Sequence, residues 1–468
     1  MTDILNLPKW DVTEVEEAHD EYIIKARYTV QPEVCLSCGV IHPKLHRYGT
    51  KHQPFRDLPI HGKKVRLLVQ RKKWKCLECQ RTFFEQLDDL DDHHRAAKRL
   101  VKWVQTKALE RTFTSLAADI GVDEGTIRNI FGRHVDHLEQ AIQFNTPRWL
   151  GIDELHLLGN ARCVLTNVEA RTLIDILPGR KKPEVAKRLM ALPNRDQIEL
   201  VAMDMWIPYR DAVRAVLPQA IIVIDKFHVV RMANQAIDKV RKRIREGLTD
   251  RQRRTLMHDR FLLFRRRSEL PPNKTILLAT WLETFPELAV AYELKEAIYD
   301  LWDTETDKQT AIIHYREWAA EVRANDLAWA FGDLMTALTN WEAEAFAYFD
   351  HPVTNAVTEA LNGVAKVVNR LGRGYSFRAI RAKMLYSTRN RKPDMKEKRQ
   401  VKESVMLLEF DPIMNFGFDT ITVQHSDGVE LIQLKQVIME EAKLRPLSTQ
   451  RDVEVLYLTD DDSTHYSE

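Results

Sequence analysis

Four of the five cysteines in this 468-residue chain fall into two CxxC pairs, Cys35/Cys38 and Cys76/Cys79. Each pair puts two thiolates on one tight turn, and two such turns complete a tetrahedral sulfur shell around Zn²⁺, with Zn–S near ~2.3 Å. Four thiolates leave no open coordination position, so the spacing predicts a structural zinc rather than a catalytic one. The competing reading is dithiol redox chemistry, but redox CxxC motifs come singly and beside a βαβ pattern. The stretches RLLVQRKKWKC and RTFFEQ flanking the second pair alternate like a short β-ribbon. Cys163 stands alone and reads as a core residue. His42, His46, His52 and His61 read as loop residues rather than ligands.

A second set of chemical candidates is acidic. From Arg148 the pattern turns to strands: RWLGIDELHLLG is centred on Asp153, IELVAMDMW ends at Asp204 and AIIVIDKFH ends at Asp225. Carboxylates at neighbouring strand ends can hold two Mg²⁺ ions about 3.5–4 Å apart, one activating an attacking oxygen and the other stabilising the leaving oxygen. Hard oxygen ligands suit Mg²⁺ or Mn²⁺. Far downstream, Glu359 sits on a helix starting near Thr354, behind Pro352, with Leu361, Val364, Val367 and Val368 as its buried side. Lys366, Asn369, Arg370, Arg373 and Arg378 continue along a phosphate-seeking surface. Glu154 and Asp175 read as solvated or structural.

The elements that must position these groups follow from the same patterning. Strands ARCVLTNVEA and TLIDILPGR and helices PEVAKRLMAL and PYRDAVRAVL complete the order β-β-β-α-β-α-β, that of a ribonuclease H-like mixed sheet flanked by helices. Residues 229–350 read almost wholly helical, as an insertion. Its Trp281, Trp302, Trp318, Trp329 and Trp341 read as core, with filling the gap of a flipped base as the alternative for one of them. Between the cysteines and the sheet lie the helical stretch AAKRLVKWVQTKALE and then FTSLAADIGVDEGTIRNIFGRHVDHL. Leu116, Ala117, Ile120, Ile127, Ile130 and Phe131 face inward, Gly121 permits the turn and Asp123 caps the second helix. Glu124, Thr126, Arg128, Asn129 and Arg133 are left outside, the polar reach of a recognition helix in the major groove. An ordinary αα-hairpin is the bland alternative.

The net charge of +2 hides strong asymmetry: Lys44–Arg81 carries 12 Lys/Arg against 2 Asp/Glu, and Lys366–Arg399 again 12 against 2, which suits a polyanion partner. No apolar run approaches the roughly 20 residues that span a bilayer. The N-terminus has no basic and then apolar signal. A cytoplasmic, reducing location is therefore expected, where thiols bind metal rather than pair. The expected organisation is a multidomain α/β chain. Residues 1–88 form a zinc-binding module with an acidic N-terminal segment, and 89–146 a helix-turn-helix. Residues 147–228 and 351–392 form the ribonuclease H-like catalytic domain, 229–350 its large α-helical insertion, and 393–468 a C-terminal appendage and tail.

The segments GIDELHL, AMDMWIPYRDAV, VIDKFHVVR and TNAVTEALNGVAKVVNRLGRGYSF together resemble the DDE transposases of bacterial insertion sequences. The similarity is strongest to the IS-L-three family, which also joins a four-cysteine zinc module to a helix-turn-helix. The resemblance implies Mg²⁺- or Mn²⁺-dependent cleavage and strand transfer of double-stranded DNA at terminal inverted repeats, with target DNA as a further partner. It also implies action as a homodimer or higher oligomer on DNA at the nucleoid. In such enzymes the second acid ends the fourth strand and the insertion follows the fifth. Counting strands makes Asp153, Asp204 and Glu359 the magnesium ligands, with Asp225 and His228 auxiliary or, for Asp225, the alternative second acid. DNA contacts are expected from Thr126, Arg128, Asn129, Arg133, Lys366, Arg370 and Arg373. Two other readings are a domesticated, non-cutting zinc and helix-turn-helix regulator, and a nuclease of the same fold that cuts without joining.

Overall fold

The computed structural model describes residues 4–251, 253, 260–387 and 424–426. The appendage expected over 393–468 lies outside the described residues, apart from the short strand Gln424–Ser426. The described chain forms two compact units, residues 4–143 with 367–387, and Phe144–Lys366.

The first unit is built on a sheet of β1 (Trp10–Glu17), β2 (Glu21–Tyr28), β3 (Leu45–Ile60), β4 (Lys63–Cys76), β5 (Thr82–Phe84), β6 (Leu90–Asp91) and β7 (Ala96–Ala97), in the order β1-β2-β4-β3-β7-β6 with β5 also on β4. The expected short ribbon is β4 with β5, which pair antiparallel, and β4 also forms a long hairpin with β3. Val65, Leu67 and Val69 alternate inward along β4, and its turn residues His61 (φ 50°) and Gly62 (φ 76°) are both left-handed, the twist a two-residue hairpin needs. The acidic N-terminal segment forms β1 and β2. Glu21 takes both Arg56 and Arg66, Glu17 takes Lys63 and Asp20 takes Lys64, so part of the basic block is neutralised within the unit. At the far end of the hairpin Arg47 and Lys51 are exposed and Lys73 and Lys75 half-buried.

Three helices follow: α1 (Lys98–Glu110), α2 (Phe113–Ile120) and α3 (Glu124–Ala141). Every apolar position expected inward in α2 and α3 is buried. Gly121 ends α2 in the left-handed region at φ 78°, and Asp123 accepts from Thr126 N at 2.8 Å, a cap worth about 1 kcal/mol. The chain's later helix Phe377–Tyr386, expected with the catalytic region, packs in this unit. Buried Lys383 donates to Ala108 O at 2.6 Å and Arg111 O at 2.7 Å, under the rings of Phe113, Phe131 and Tyr375. A cation at the carbonyl end of α1 offsets the negative pole of that helix.

After a short strand β8 (Ile142–Phe144), the second unit opens with a meander of β9 (Trp149–Leu157), β10 (Asn160–Asn167) and β11 (Thr172–Ile176). Helix α4 (Lys182–Met190), β12 (Leu200–Met203), α5 (Ile207–Val216) and β13 (Ile221–Ile224) complete the sheet, whose order is β11-β10-β9-β12-β13. β12 and β13 run parallel to β9, while β10 is antiparallel to both β9 and β11. Helix α6 (Lys226–Glu246) runs unbroken out of β13, so the boundary expected at 228/229 falls inside a helix. Then come α7 (Pro272–Thr284), α8 (Pro286–Thr304), α9 (Lys308–Ala324), α10 (Ala328–Asn340), the single turns α11 (Glu342–Ala345) and α12 (Ala347–Asp350), and α13 (Ala356–Gly372). The helix of Phe377–Tyr386 is α14. Trp281, Trp302, Trp318 and Trp341 are core, as expected, whereas Trp329 is exposed and stacks on Arg243 at 4.1 Å. Ala347 and Val353 close over Leu200, Ala202 and Val223, seating the end of the helical segment on the sheet.

Candidate functional site

The four cysteines converge. Cys35 and Cys79 Sγ lie 3.8 Å apart and Cys38 and Cys76 Sγ 4.0 Å apart, and all four sulfurs are within 4.8 Å of one another. A tetrahedron with Zn–S near 2.3 Å has S–S edges of about 3.8 Å, so the donor set fits zinc. The two turns are built alike. Cys35 N donates to Val40 O and Cys76 N to Arg81 O, and the residue after each second cysteine, Gly39 (φ 75°) or Gln80 (φ 59°), is left-handed. Trp74 and Phe83 pack against Cys35 and Cys76. Burial would raise the Cys35 thiol, but the N–H groups of Ser37 and Cys38 outweigh it and hold it down to about 7. Cys76, by contrast, is pushed up to about 12: the Cys79 N–H would lower it, but Glu78 and burial outweigh that donor. One thiol is thus poised as a thiolate and the other gives up its proton on binding metal.

In the second unit, Ile152, Met203 and Ile224 are in register across β9, β12 and β13. The residue after each is Asp153, Asp204 or Asp225, so three aspartates line up at one level of three adjacent parallel strands. Their surroundings differ. Asp153 is buried, and burial, then Asp204, Glu359 and Asp225, push its carboxyl up to about 8. Glu359, in the first turns of α13, keeps an exposed side chain yet is raised to about 6, by partial desolvation within the cluster and then by Asp225 and Asp204. Asp225 is 2% exposed and raised by burial. Its Oδ1 accepts from Phe227 N at 3.0 Å, capping α6, and its Oδ2 accepts from Asn355 N at 2.8 Å, at the start of α13. Asp204 has a side chain 31% exposed and lies 3.6 Å from His228 Nδ1. Arg231 donates to that Nδ1 at 2.8 Å, and its charge opposes the upward shifts at Asp153 and Glu359. Four acids gathered here, three of them raised partly by their acidic neighbours, form a site in excess of negative charge, and oxygen donors of this kind fit Mg²⁺ or Mn²⁺. Of the residues read as structural, Glu154 pairs with Arg180 and His156, and Asp175 with Arg188 at 2.6 Å.

Sequence reasoning missed the residues that bring Glu359 to the sheet. Asn355 Nδ2 donates to Ile152 O at 3.1 Å, Thr358 Oγ1 lies 2.7 Å from Thr166 Oγ1, and Asn362 Nδ2 donates to Asp153 Oδ2 at 2.8 Å. Residues 355, 358, 359 and 362 share one helix face, so the face against β9 is polar while Leu361 and Val364 fill the apolar side. A Cβ at Gly151 would come 2.2 Å from Thr166 Oγ1 and 2.7 Å from Thr358 Oγ1, so only glycine permits this approach. The available signal was the spacing of polar residues at i, i+3 and i+7 within an otherwise apolar helix.

On α3, Asn129 and Arg133 are exposed, with Arg133 2.5 Å from His93 Nε2. Thr126 Oγ1 donates to the capping Asp123 at 2.7 Å. Arg128 pairs with Glu124 at 2.6 Å and lies over the Phe113 ring, so it leans along its own unit rather than straight outward. Lys366, Arg370 and Arg373 are exposed along and just beyond α13.

Comparison with known proteins matches residues 150–384 to a transposase family model of the ISL3 DDE type and residues 85–135 to the helix-turn-helix domain of transposase family ISL3. Residues 31–79 match the zinc-finger of transposase IS204/IS1001/IS1096/IS1165. The transposase for insertion sequence element IS1001 of Bordetella parapertussis is 26% identical over 354 residues, covering 74% of this chain and 86% of that protein. The transposase for IS1557 of Mycobacterium tuberculosis is 25% identical over 261 residues, covering 50% of this chain and 58% of that one. Among the described residues no helix is long and apolar enough to cross a membrane. With the DDE model spanning half the chain and the zinc and helix-turn-helix models ahead of it, the protein belongs to the ISL3 family of transposases.

Proposed function

We propose that the protein binds the terminal inverted repeats of an insertion sequence and cuts and rejoins DNA there. Asp153, Asp204 and Glu359 hold Mg²⁺ on a ribonuclease H-like sheet. The observation that carries this reading is the in-register row of three aspartates, to which α13 adds Glu359 from some 200 residues away through Asn355 and Asn362. The strand order, with a three-strand meander and two parallel strands beyond its first strand, supports the ribonuclease H-like assignment. The bound ions would supply charge stabilisation to the attacking and leaving oxygens of an in-line displacement. The chain's own residues hold carboxylate oxygens at fixed points, and Arg231 keeps His228 Nδ1 as an acceptor.

The choice of second acid rests on how each aspartate is spent. The two oxygens of Asp225 are tied to the starts of two different helices, so turning it toward a metal would release both, whereas Asp153 is tied only to its own strand and one side chain and Asp204 is partly exposed beside His228. Asp204 is therefore the ligand and Asp225 the group that holds α6 and α13 together. The exposed Asn129 and Arg133 read DNA from α3, and Lys366, Arg370 and Arg373 contact phosphates. The zinc module is the brace for the end-binding unit. Residues 147–225 and 351–366 make the catalytic domain, with 226–350 inserted from the start of α6, and the protein works in the cytoplasm as a homodimer or larger assembly on paired DNA ends.

The test is an end-cleavage and strand-joining assay on oligonucleotide ends. Asp204→Asn abolishes cutting while end binding persists, and Asp225→Asn leaves measurable Mn²⁺-dependent cutting. Residual cutting in Asp204→Asn together with none in Asp225→Asn reverses the assignment, and cutting without joining makes the protein a nuclease.

A further inference from the structure

Asn362 lies one helical turn beyond Glu359 on α13 and is 7% exposed. Its amide donates to Asp153 Oδ2 at 2.8 Å and, more weakly, to Glu154 O at 3.3 Å. The other end of the same side chain, Oδ1, is buried and accepts no hydrogen bond among the described residues. Buried polar atoms are nearly always paired, and an unpaired one at a charged site marks a place where a further donor belongs. The neighbouring residues of this helix face do not share that feature. Asn355 spends its Nδ2 on Ile152 O and its Oδ1 on Thr358, and Thr358 also meets Thr166. Those two are braces with both ends used. Asn362 is half used, and the half in use grips an acid rather than the backbone of the strand.

The Asp153 carboxylate is held at two points. Oδ1 accepts from Glu154 N at 2.6 Å, and Oδ2 takes the Asn362 amide. Each oxygen keeps a further lone pair, so the contacts fix the rotamer without filling the coordination capacity. A carboxylate crowded by three other acids is driven to rotate away from them, and the Asn362 donor opposes that by pinning Oδ2 beside the helix that carries Glu359.

We propose that Asn362 is a positioning residue for the metal site, orienting Asp153 relative to Glu359 through Nδ2 and reserving Oδ1 for a water that enters with the divalent cation. This rests on the reading of Asp153 as a ligand. Hydrogen-bond partners of metal ligands are worth roughly 10–100-fold in metal affinity.

The experiment is a Mn²⁺ titration of the zinc-loaded full-length protein on end DNA, read by the electron paramagnetic resonance signal of free Mn²⁺. Asn362→Leu keeps the shape and removes both polar ends, and Asn362→Ser removes the amide without adding bulk. Both weaken Mn²⁺ binding by about 10–100-fold while circular dichroism and end binding stay as in the parent. Should Asn362→Leu fail to fold, the Asn362→Ser titration decides. Mn²⁺ affinity within twofold of the parent in a folded Asn362 variant overturns the proposal. Asp153→Asn is the control for the underlying reading. If it leaves Mn²⁺ binding intact, Asp153 is not a ligand; if it abolishes binding while the Asn362 variants do not weaken it, only the role of Asn362 falls.

Discussion

The protein gathers four cysteines in one unit and four acids in the other from opposite starting conditions. Its four cysteines close to within 4.8 Å of one another on two turns of matching backbone, and no other trio of His, Cys, Asp or Glu among the described residues converges so tightly. The four acids of the other unit stay wider apart, on three strand ends and a helix, and desolvation and mutual repulsion raise Asp153, Asp225 and Glu359. Thiols can meet as neutral groups and pack among Trp74 and Phe83, so the fold assembles that site and the metal locks it. Carboxylates at neutral pH cannot meet without a counter-charge. The lesson is that a cysteine site is completed by fold and metal together, whereas the acidic cluster proposed for catalysis is held short of closure by hydrogen bonds from its neighbours.

Zinc removal is the most drastic way to break this contrast. Structural zinc supplies on the order of 10–16 kcal/mol to small modules, so chelation should unfold the cysteine region and abolish end binding. Metal analysis should find close to one zinc per chain, and Cys76→Ser should lose it. Next in size is Asp153→Asn. Cleavage should fall at least ~1000-fold, yet the metal-free protein should become more stable. Folded Asp153 keeps its proton to about 8, while the unfolded chain releases it near the ordinary carboxylate value of ~3.9. Between those values the folded state holds the extra proton, so this group makes stability fall as pH rises through that window, with no slope below or above it. Asp153→Asn should remove that slope and add about 1–3 kcal/mol at pH 7, read by denaturant titration at several pH values. Chelation should show no such reversal of sign at the cysteines.

Much of this was legible in the sequence, for identifiable reasons. The CxxC pairs and the strands ending at Asp204 and Asp225 are local patterns, and local patterns survive in one dimension. What was not legible depends on partners far away in the chain. The acidic N-terminal stretch became β1 and β2 because Glu17, Asp20 and Glu21 find cations on the β3–β4 hairpin, a pairing no window contains. Lys383 looked like one more basic residue, yet it is buried at the carbonyl end of α1 among three aromatic rings. Asn362 looked like ordinary helix polarity until Asp153, 209 positions away, supplied its meaning.

Smaller changes sharpen the contrast. Gly151→Ala should push α13 off β9 through Thr166 and Thr358, costing about 1–3 kcal/mol and slowing cleavage while zinc content is unchanged. At the DNA interface, Asn129→Ala should weaken end binding by about 1 kcal/mol or slightly more without weakening binding to random DNA. Arg128→Ala should show less sequence selectivity, because Glu124 and Phe113 already engage that side chain. Fluorescence anisotropy on end and scrambled duplexes separates the two.

The claim that Asp153, Asp204 and Glu359 form the working site, with Asp225 as a brace, is tested most directly by anomalous diffraction from Mn²⁺-loaded crystals. Manganese is expected within ~2.1 Å of carboxylate oxygens from Asp153, Asp204 and Glu359, with Asp225 still accepting from Phe227 N and Asn355 N. Manganese bound by Asp153, Asp225 and Glu359, with Asp204 turned away, would contradict it.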